Sequence, residues 1–210
     1  MQNFVAIIDY GMGNIFSIQS ALNNVGIDSI VTNDKKRILN AKAIILPGVG
    51  AFSKAMEEIK KRKIDKIIFE ANRNRKLIIG ICLGMQLLFE KSYENKVTTG
   101  LGLLKGEVIS FSKNTNIEKK FNVGWNKIYL NTKNKDEFLA NIKKRFMYFI
   151  HSYHVKVNEK NLETSYAKFG KVKFVSSVKK DNIYAYQFHP EKSAQDGYEI
   201  YKSIKKKLYY

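Results

Sequence analysis

Cysteine, proline, tryptophan and arginine are all scarce in this chain: its 210 residues hold one cysteine, two prolines, one tryptophan and five arginines. A lone cysteine forms no internal disulfide and matches no Cys-based metal spacing. That points to a reducing, cytoplasmic setting and argues against a bound metal. No apolar run approaches the ~20 residues needed to span a bilayer, so no membrane helix is expected. The first residues, MQNFVAIIDYG, lack the basic start and apolar core of a secretion signal. Proline-rich linkers, internal repeats and long low-complexity segments are absent too. Residues 1–210 therefore read as a single domain, and an apolar fraction of 44% is ample for its core.

Acidic residues are also in deficit, 19 against 37 Lys and Arg, which leaves a formal charge of +18. A balance this basic raises the question of nucleic-acid binding. The kind of charge argues against it, because the excess is lysine, whereas bidentate phosphate and base recognition favours arginine. The lysines are spread along the chain. Their densest runs, residues 60–63 and 205–207, fall on helix-like segments where charge normally forms the solvated face. The tyrosines near 148–153 and 184–186 read as core and interface strand residues rather than a base-stacking platform. Neither nucleic acid nor membrane is the expected partner.

What is present is a regular alternation. Residues 4–8 form a short apolar run ending in DYGMGN, the mark of a buried strand followed by a turn. Ile18, Ala21, Leu22 and Val25 then recur at helical spacing, with Gly26 placed as the C-terminal cap. A second strand at 43–46 stops at Pro47-Gly48-Val49-Gly50. Helical spacing returns at Phe52, Ala55, Met56 and Ile59 and again at Ile64, Ile67, Ile68 and Ala71, before a third strand at 77–81. This order predicts an α/β fold, a mostly parallel central sheet with helices on both faces. The second half reads differently, with strand-like stretches at 107–111, 121–130, 146–157, 172–178 and 183–188, and predicts an antiparallel extension. Ser193-Ala194-Gln195-Asp196 reads as a capping box ahead of a last helix running towards Leu208.

The single cysteine stands in Gly80-Ile81-Cys82-Leu83-Gly84, between the third strand and a helical run at 83–90. A free cysteine is more often an inert core residue. Glycines two residues away on either side, however, suit a sharp strand-to-helix turn that presents a nucleophile. At a helix N-terminus the dipole favours thiolate. A base must then come from His151, His154 or His189. In His189-Pro190-Glu191 the proline keeps its predecessor extended, so residues 189 and 191 lean to one side and Glu191 can orient the imidazole. A Cys, His and carboxylate relay follows. For the oxyanion, the N–H of Leu83 is one natural donor and the 47–50 segment, at the end of a neighbouring strand, offers another. Such parts converge beyond the carboxyl ends of parallel strands, and they suit acyl transfer through a thioester. Gly11-Met12-Gly13 is not a dinucleotide loop, because Phe16 stands where the third glycine belongs.

These segments resemble the class I, triad-type glutamine amidotransferases, whose fold is flavodoxin-like. PGVGAF (47–52), GICLGMQLLFE (80–90) and QFHPEKS (187–193) are similar to that family's oxyanion strand, nucleophile elbow and His-Pro-Glu motif, in the right order. With DYGMGN (9–14), GLGL (101–104), GWN (124–126) and HSY (151–153), the resemblance sharpens to the glutaminase subunits of imidazole glycerol phosphate synthase.

The resemblance implies that Cys82 attacks the side-chain amide of L-glutamine, that His189 carries the proton and that Glu191 orients His189. It places Val49, Gly50 and Leu83 at the oxyanion hole, and Gly50, Gln86, Glu94, Ser152 and Tyr153 on the substrate. It implies no cofactor. The ammonia would pass to a (β/α)8-barrel cyclase subunit of histidine biosynthesis, held in a heterodimer through Asn14, Trp125, Tyr148 and Lys192. Glutaminase activity would wait on that partner. The 119–123 segment lacks the proline usual before GWN, and Glu94 sits in a loop less rich in glycine than the family's. Both departures lie near the mouth or the interface, and they keep a second partner in view, a surface-sugar or glycan synthase fed by a paralogous glutaminase.

Overall fold

The computed structural model describes residues 3–111, 121–159 and 161–209. Lys119 and Lys120 of the segment ahead of GWN lie outside them, as do Met1 and Gln2.

The first half is a parallel sheet. Strands β1 (Val5–Ile8), β2 (Ser29–Thr32), β3 (Ala43–Leu46) and β4 (Leu77–Ile81) alternate with helices α1 (Ile15–Asn24), α2 (Lys35–Asn40), α3 (Phe52–Lys61) and α4 (Ile64–Arg73). Every residue of β1 and β3 is buried, as expected of strands covered on both faces. Alternate residues feed two cores, one around Ala6, Ile8, Ile44 and α3–α4, the other around Val5, Ile7, Ile45 and α1. The helical apolar residues read from the sequence face these cores, and Lys60, Lys61, Arg62 and Lys63 are exposed.

After β4 come a short helix α5 (Leu83–Leu87), β5 (Phe89–Ser92), β6 (Thr98–Thr99), β7 (Leu104–Ser110), β8 (Asn122–Leu130), β9 (Phe146–His151), β10 (Tyr153–Val157), β11 (Glu163–Phe169), β12 (Val172–Lys180), β13 (Ile183–Tyr186) and a final helix α6 (Ala194–Tyr209). Strand β13 pairs parallel with β4, and from it the sheet continues antiparallel through β12, β11, β8 and β9, giving the order β2-β1-β3-β4-β13-β12-β11-β8-β9. A separate four-stranded sheet, β10-β7-β5-β6, covers one side. Among the described residues no helix is long and apolar enough to cross a membrane.

Local expectations differ from this structure in four places. The helix expected over 83–90 ends at Leu87, and the chain turns into β5, whose backbone pairs with β7. Residues 81–89 are all buried, so this apolar run has no polar face from which a helical period can be read. The single strand expected over 146–157 breaks at Ser152 into β9 and β10, which belong to different sheets. Strands β2 and β11 and helix α2 are not expected from the sequence: β2 and α2 are short, and all three are partly polar, so their periodicity is weak. The capping box at 193–196 does not form. Asp196 instead accepts the backbone N–H groups of Lys143 (3.0 Å) and Arg145 (2.6 Å). Ser193 Oγ donates to the His189 carbonyl (2.6 Å) and accepts the N–H of Tyr148 (3.0 Å). The first turn of α6 is packed against neighbouring backbone, and those groups reach the side chains first.

Asp136, at the head of the Glu137–Leu139 turn, is buried and accepts hydrogen bonds from Phe138 N–H (2.8 Å) and Tyr186 Oη (2.9 Å). Burial raises its pKa from 3.8 to about 7, against the lowering by those two donors; nearby Glu137 raises it and Lys179 lowers it. The folded state thus holds this proton more tightly than the unfolded chain. The associated stability is fully present below pH 3.8 and is lost as pH rises towards about 7. Asp136→Asn, which cannot titrate, is expected to flatten that part of the stability curve. Urea midpoints of both proteins from pH 4 to 8 test this, and parallel curves would refute it.

Candidate active site

The β4 strand ends at Ile81, and the chain reverses at Cys82 with φ 54° and ψ −110°, a left-handed backbone that a side-chain-bearing residue adopts at a cost of about 1–3 kcal/mol. The Cys82 N–H is tied to the Tyr186 carbonyl of β13 at 2.7 Å, and α5 begins with the next residue. Two glycines let the neighbouring segments close on this turn. A Cβ on Gly84 would lie 1.9 Å from the Leu46 carbonyl oxygen, and one on Gly48 would lie 2.6 Å from the Gly84 nitrogen. Backbone therefore meets backbone between the elbow and the end of β3. Gly50, with φ +98°, lies against Met12 of the 9–14 loop, and Tyr10 Oη donates to the Pro47 carbonyl at 2.7 Å. DYGMGN thus forms a support for the 47–50 segment.

His189 follows β13 and precedes the Pro190–Lys192 turn. Its backbone is held at both ends, N–H to the Tyr148 carbonyl (2.9 Å) and carbonyl to Ser193 Oγ (2.6 Å). The ring donates from Nδ1 to Glu191 Oε1 at 2.7 Å, and both side chains are buried. That bond leaves Nε2 on the side of the ring away from Glu191. It has no hydrogen bond of ordinary geometry among the described residues, yet it lies close enough to Cys82 for the sulfur to favour its protonated form. Burial opposes the imidazolium; Cys82 on one side and Glu191 on the other outweigh it, and the pKa is raised to about 10.

The other two histidines are held in structural roles. His151 donates from Nδ1 to the Tyr153 carbonyl (2.8 Å), because a carbonyl only accepts, and its Nε2 accepts from Asn122 Nδ2 (2.9 Å). Burial, reinforced by His154 and His189 nearby, lowers its pKa to about 3 despite the Tyr153 bond. His154 is likewise lowered by burial and stacks on Phe111.

A cavity of about 410 Å³ opens over Cys82, with Val49, Gly50, Leu83, Gln86, Glu94, Ser152 and Tyr153 in its wall. Larger hollows of about 470 and 570 Å³, beside Trp125 and beside Asp136, lie away from the sulfur and contain none of the relay. Leu83 N–H begins α5 and has no preceding helical turn to accept it, so it is available as an oxyanion donor. Gln86 donates from Nε2 to the Tyr153 carbonyl (2.9 Å) and to Gln187 Oε1 (3.0 Å). Glu94 Oε2 accepts the N–H of Phe52 at 2.6 Å, linking the cavity wall to the start of α3.

The surface residues fall into a second group. Trp125 and Tyr148 sit opposite each other on β8 and β9 with ring centroids 6.0 Å apart, and Lys192 Nζ lies 5.8 Å from the Tyr148 ring. Asn14 opens α1, which packs against the Pro190–Lys192 turn. Phe121, Val123, Trp125 and Ile150 are exposed, and Phe121, Val123 and Ile150 also line the cavity mouth. Sequence reasoning gave no role to Tyr10, Gln187 or Asn122. The first two stand inside motifs that were recognised whole, but only their tertiary contacts reveal what they hold.

Residues 6–204 match the family described as glutamine amidotransferase class-I. The imidazole glycerol phosphate synthase subunit HisH of Caldanaerobacter subterraneus subsp. tengcongensis is 44% identical over 201 residues, covering 95% of this chain and 96% of that protein. The subunit of the same name from Aquifex aeolicus is 41% identical over 203 residues, covering 96% and 95%. In fold, a chain of the PurLQS structure from Thermotoga maritima aligns with TM-score 0.74 over 99% of this chain and all of that one, at 23% identity. With the match running through both halves of the sheet and every segment that meets at Cys82, the chain belongs to the class-I glutamine amidotransferase family.

Proposed function

We propose that this chain is the glutaminase subunit of imidazole glycerol phosphate synthase, hydrolysing L-glutamine and handing the ammonia to a (β/α)8-barrel cyclase subunit in the cytoplasm. The observation that carries the reading is Cys82 at a left-handed turn, beside a buried His189–Glu191 pair, under a cavity of amino-acid size. The sulfur attacks the carboxamide carbon of glutamine, and the oxyanion is received by Leu83 N–H and the Val49–Gly50 backbone. His189 Nε2 takes the thiol proton and delivers it to the departing nitrogen, which leaves as ammonia. Water then attacks the thioester with His189 as base, releasing glutamate and restoring the thiol. Gln86 and Glu94 hold the α-amino end of the substrate.

Relatives at 44% and 41% identity over nearly the whole chain favour the imidazole glycerol phosphate partner over a surface-sugar synthase. The group of exposed Trp125 and Lys192 around half-buried Tyr148, with Asn14 nearby, is the face on which the barrel docks. Glutamate release by the chain alone, and with the cyclase subunit of its own organism plus its nucleotide substrate, tests the assignment: strong stimulation is expected. No stimulation would sink this partner. Trp125→Ala is expected to weaken the complex by about tenfold or more, as loss of a central aromatic anchor does, and to leave alkylation of Cys82 in the free subunit unchanged. Titration by calorimetry distinguishes the two effects.

A further inference from the structure

Gln187 takes no part in the steps above, yet its side chain is fully buried between β13 and His189 and reaches the sulfur. Its amide orientation is dictated from outside. The Tyr153 carbonyl can only accept, so the Gln86 atom facing it at 2.9 Å is Nε2. The same Nε2 lies 3.0 Å from Gln187, so the Gln187 atom facing it is the acceptor Oε1. Gln187 Nε2 is thereby turned towards Cys82 Sγ, at 3.8 Å. A backbone carbonyl thus sets, through two amides, which end of Gln187 meets the sulfur.

The second contact of the sulfur has the opposite preference. Cys82 Sγ lies 3.8 Å from the Ile150 carbonyl oxygen, an acceptor that suits an S–H and repels a thiolate. A Gln187 N–H donor gains strength when the sulfur is charged. The two contacts are equally long and have opposite preferences for the charge on the sulfur, so a change in the polarity of the Gln187 amide bears on that charge. Such a change is available. Gln86 lines the cavity, and with its Nε2 committed to Tyr153 and Gln187, the atom left for a ligand is Oε1, an acceptor suited to the α-ammonium of an amino acid. A cation there polarises the Gln86 amide, which strengthens its donation to Gln187 and in turn the donation of Gln187 to sulfur.

We propose that Gln187 is a positioning residue that couples occupation of the substrate cavity at Gln86 to presentation of the Cys82 sulfur as a thiolate. The proposal rests on Cys82 being the nucleophile, as assigned above. A buried amide with only a packing role would not separate binding from turnover, and two substitutions make that separation. Gln187→Glu keeps the acceptor for Gln86 but places an oxygen beside the sulfur. Gln187→Leu removes both bonds.

Both variants are assayed in the two-subunit complex, with co-elution of the two subunits on gel filtration as the control for folding and docking. Gln187→Glu is expected to keep KM for glutamine within about twofold and to lose about tenfold or more in kcat; Gln187→Leu is expected to lose kcat and raise KM. In both, the pH profile for alkylation of Cys82 by iodoacetamide moves to the alkaline side. Unchanged kcat and an unchanged alkylation profile would overturn the proposal, as would a rise in KM alone. Glutamine hydrolysis that survives Cys82→Ala would remove the nucleophile assignment, and this proposal with it.

Discussion

Cys82→Ala is expected to lower glutamine-dependent turnover by about 10⁴-fold or more, because it removes the atom that forms the covalent intermediate, and no other group in the cavity wall replaces it. Synthesis supported by added ammonium is expected to persist in the complex with the cyclase. That assay shows the cyclase to be active, and co-elution of the two subunits separates loss of chemistry from loss of assembly. Cys82 is buried at the turn and fills little volume, so the truncation leaves the elbow in place. Cys82→Ser, with a hydroxyl in the same strained position, tests a further point: His189 and Glu191 are set beside a sulfur, and an alcohol is much harder to deprotonate, so this variant is also expected to fail. Glutamate release by either variant near the parent rate would contradict the assignment of Cys82.

Gly84→Ala is expected to be among the most damaging single methyl groups that can be added near the site. The new Cβ would stand 1.9 Å from the Leu46 carbonyl oxygen and 2.8 Å from its carbon. These are backbone atoms of β3, held on both sides by pairing with β1 and β4, so no rotamer change relieves the contact. Overpacking of this kind costs about 3 kcal/mol or more, since elbow and strand must separate. The same separation would move the 47–50 segment away from the sulfur, so any protein that folds should also lose glutaminase activity. A urea midpoint within experimental error of the parent would show that the two segments part easily, and that close approach is not what the glycine provides.

The turn at Cys82, the pairing of His189 with Glu191 and the parallel half of the fold were legible for a physical reason. A strand buried on both faces must be apolar throughout, and a strained turn must be flanked by small residues. Each requirement leaves a local mark, seen at Val5–Ile8, at Ala43–Leu46 and at Gly80 and Gly84. His189 and Glu191 were readable because a proline between them restricts how they point. The misreadings share the opposite character. The run after Cys82 is buried on every side, so it carries no period to distinguish the five residues of α5 from the start of β5. Ser193 and Asp196 have the spacing of a capping box, but their partners are Tyr148, His189, Lys143 and Arg145, brought there by the packing of α6.

Taken alone, the order of residues marked the strained turn at Cys82, the histidine and carboxylate beside it, and the sheet end on which they meet. These are consequences of local stereochemistry: left-handed backbone, restricted φ before proline and the alternation of strand with helix. Tertiary structure decided what surrounds them. Only the folded chain shows that Tyr10 steadies Pro47, that Glu94 reaches Phe52, that the buried His151 accepts from Asn122, and that Gln86 turns the Gln187 amide towards the sulfur. Each of these contacts joins residues far apart in sequence. Hydrogen bonds of that kind have no period and no fixed spacing, so they become readable only once the sheets have brought their ends together.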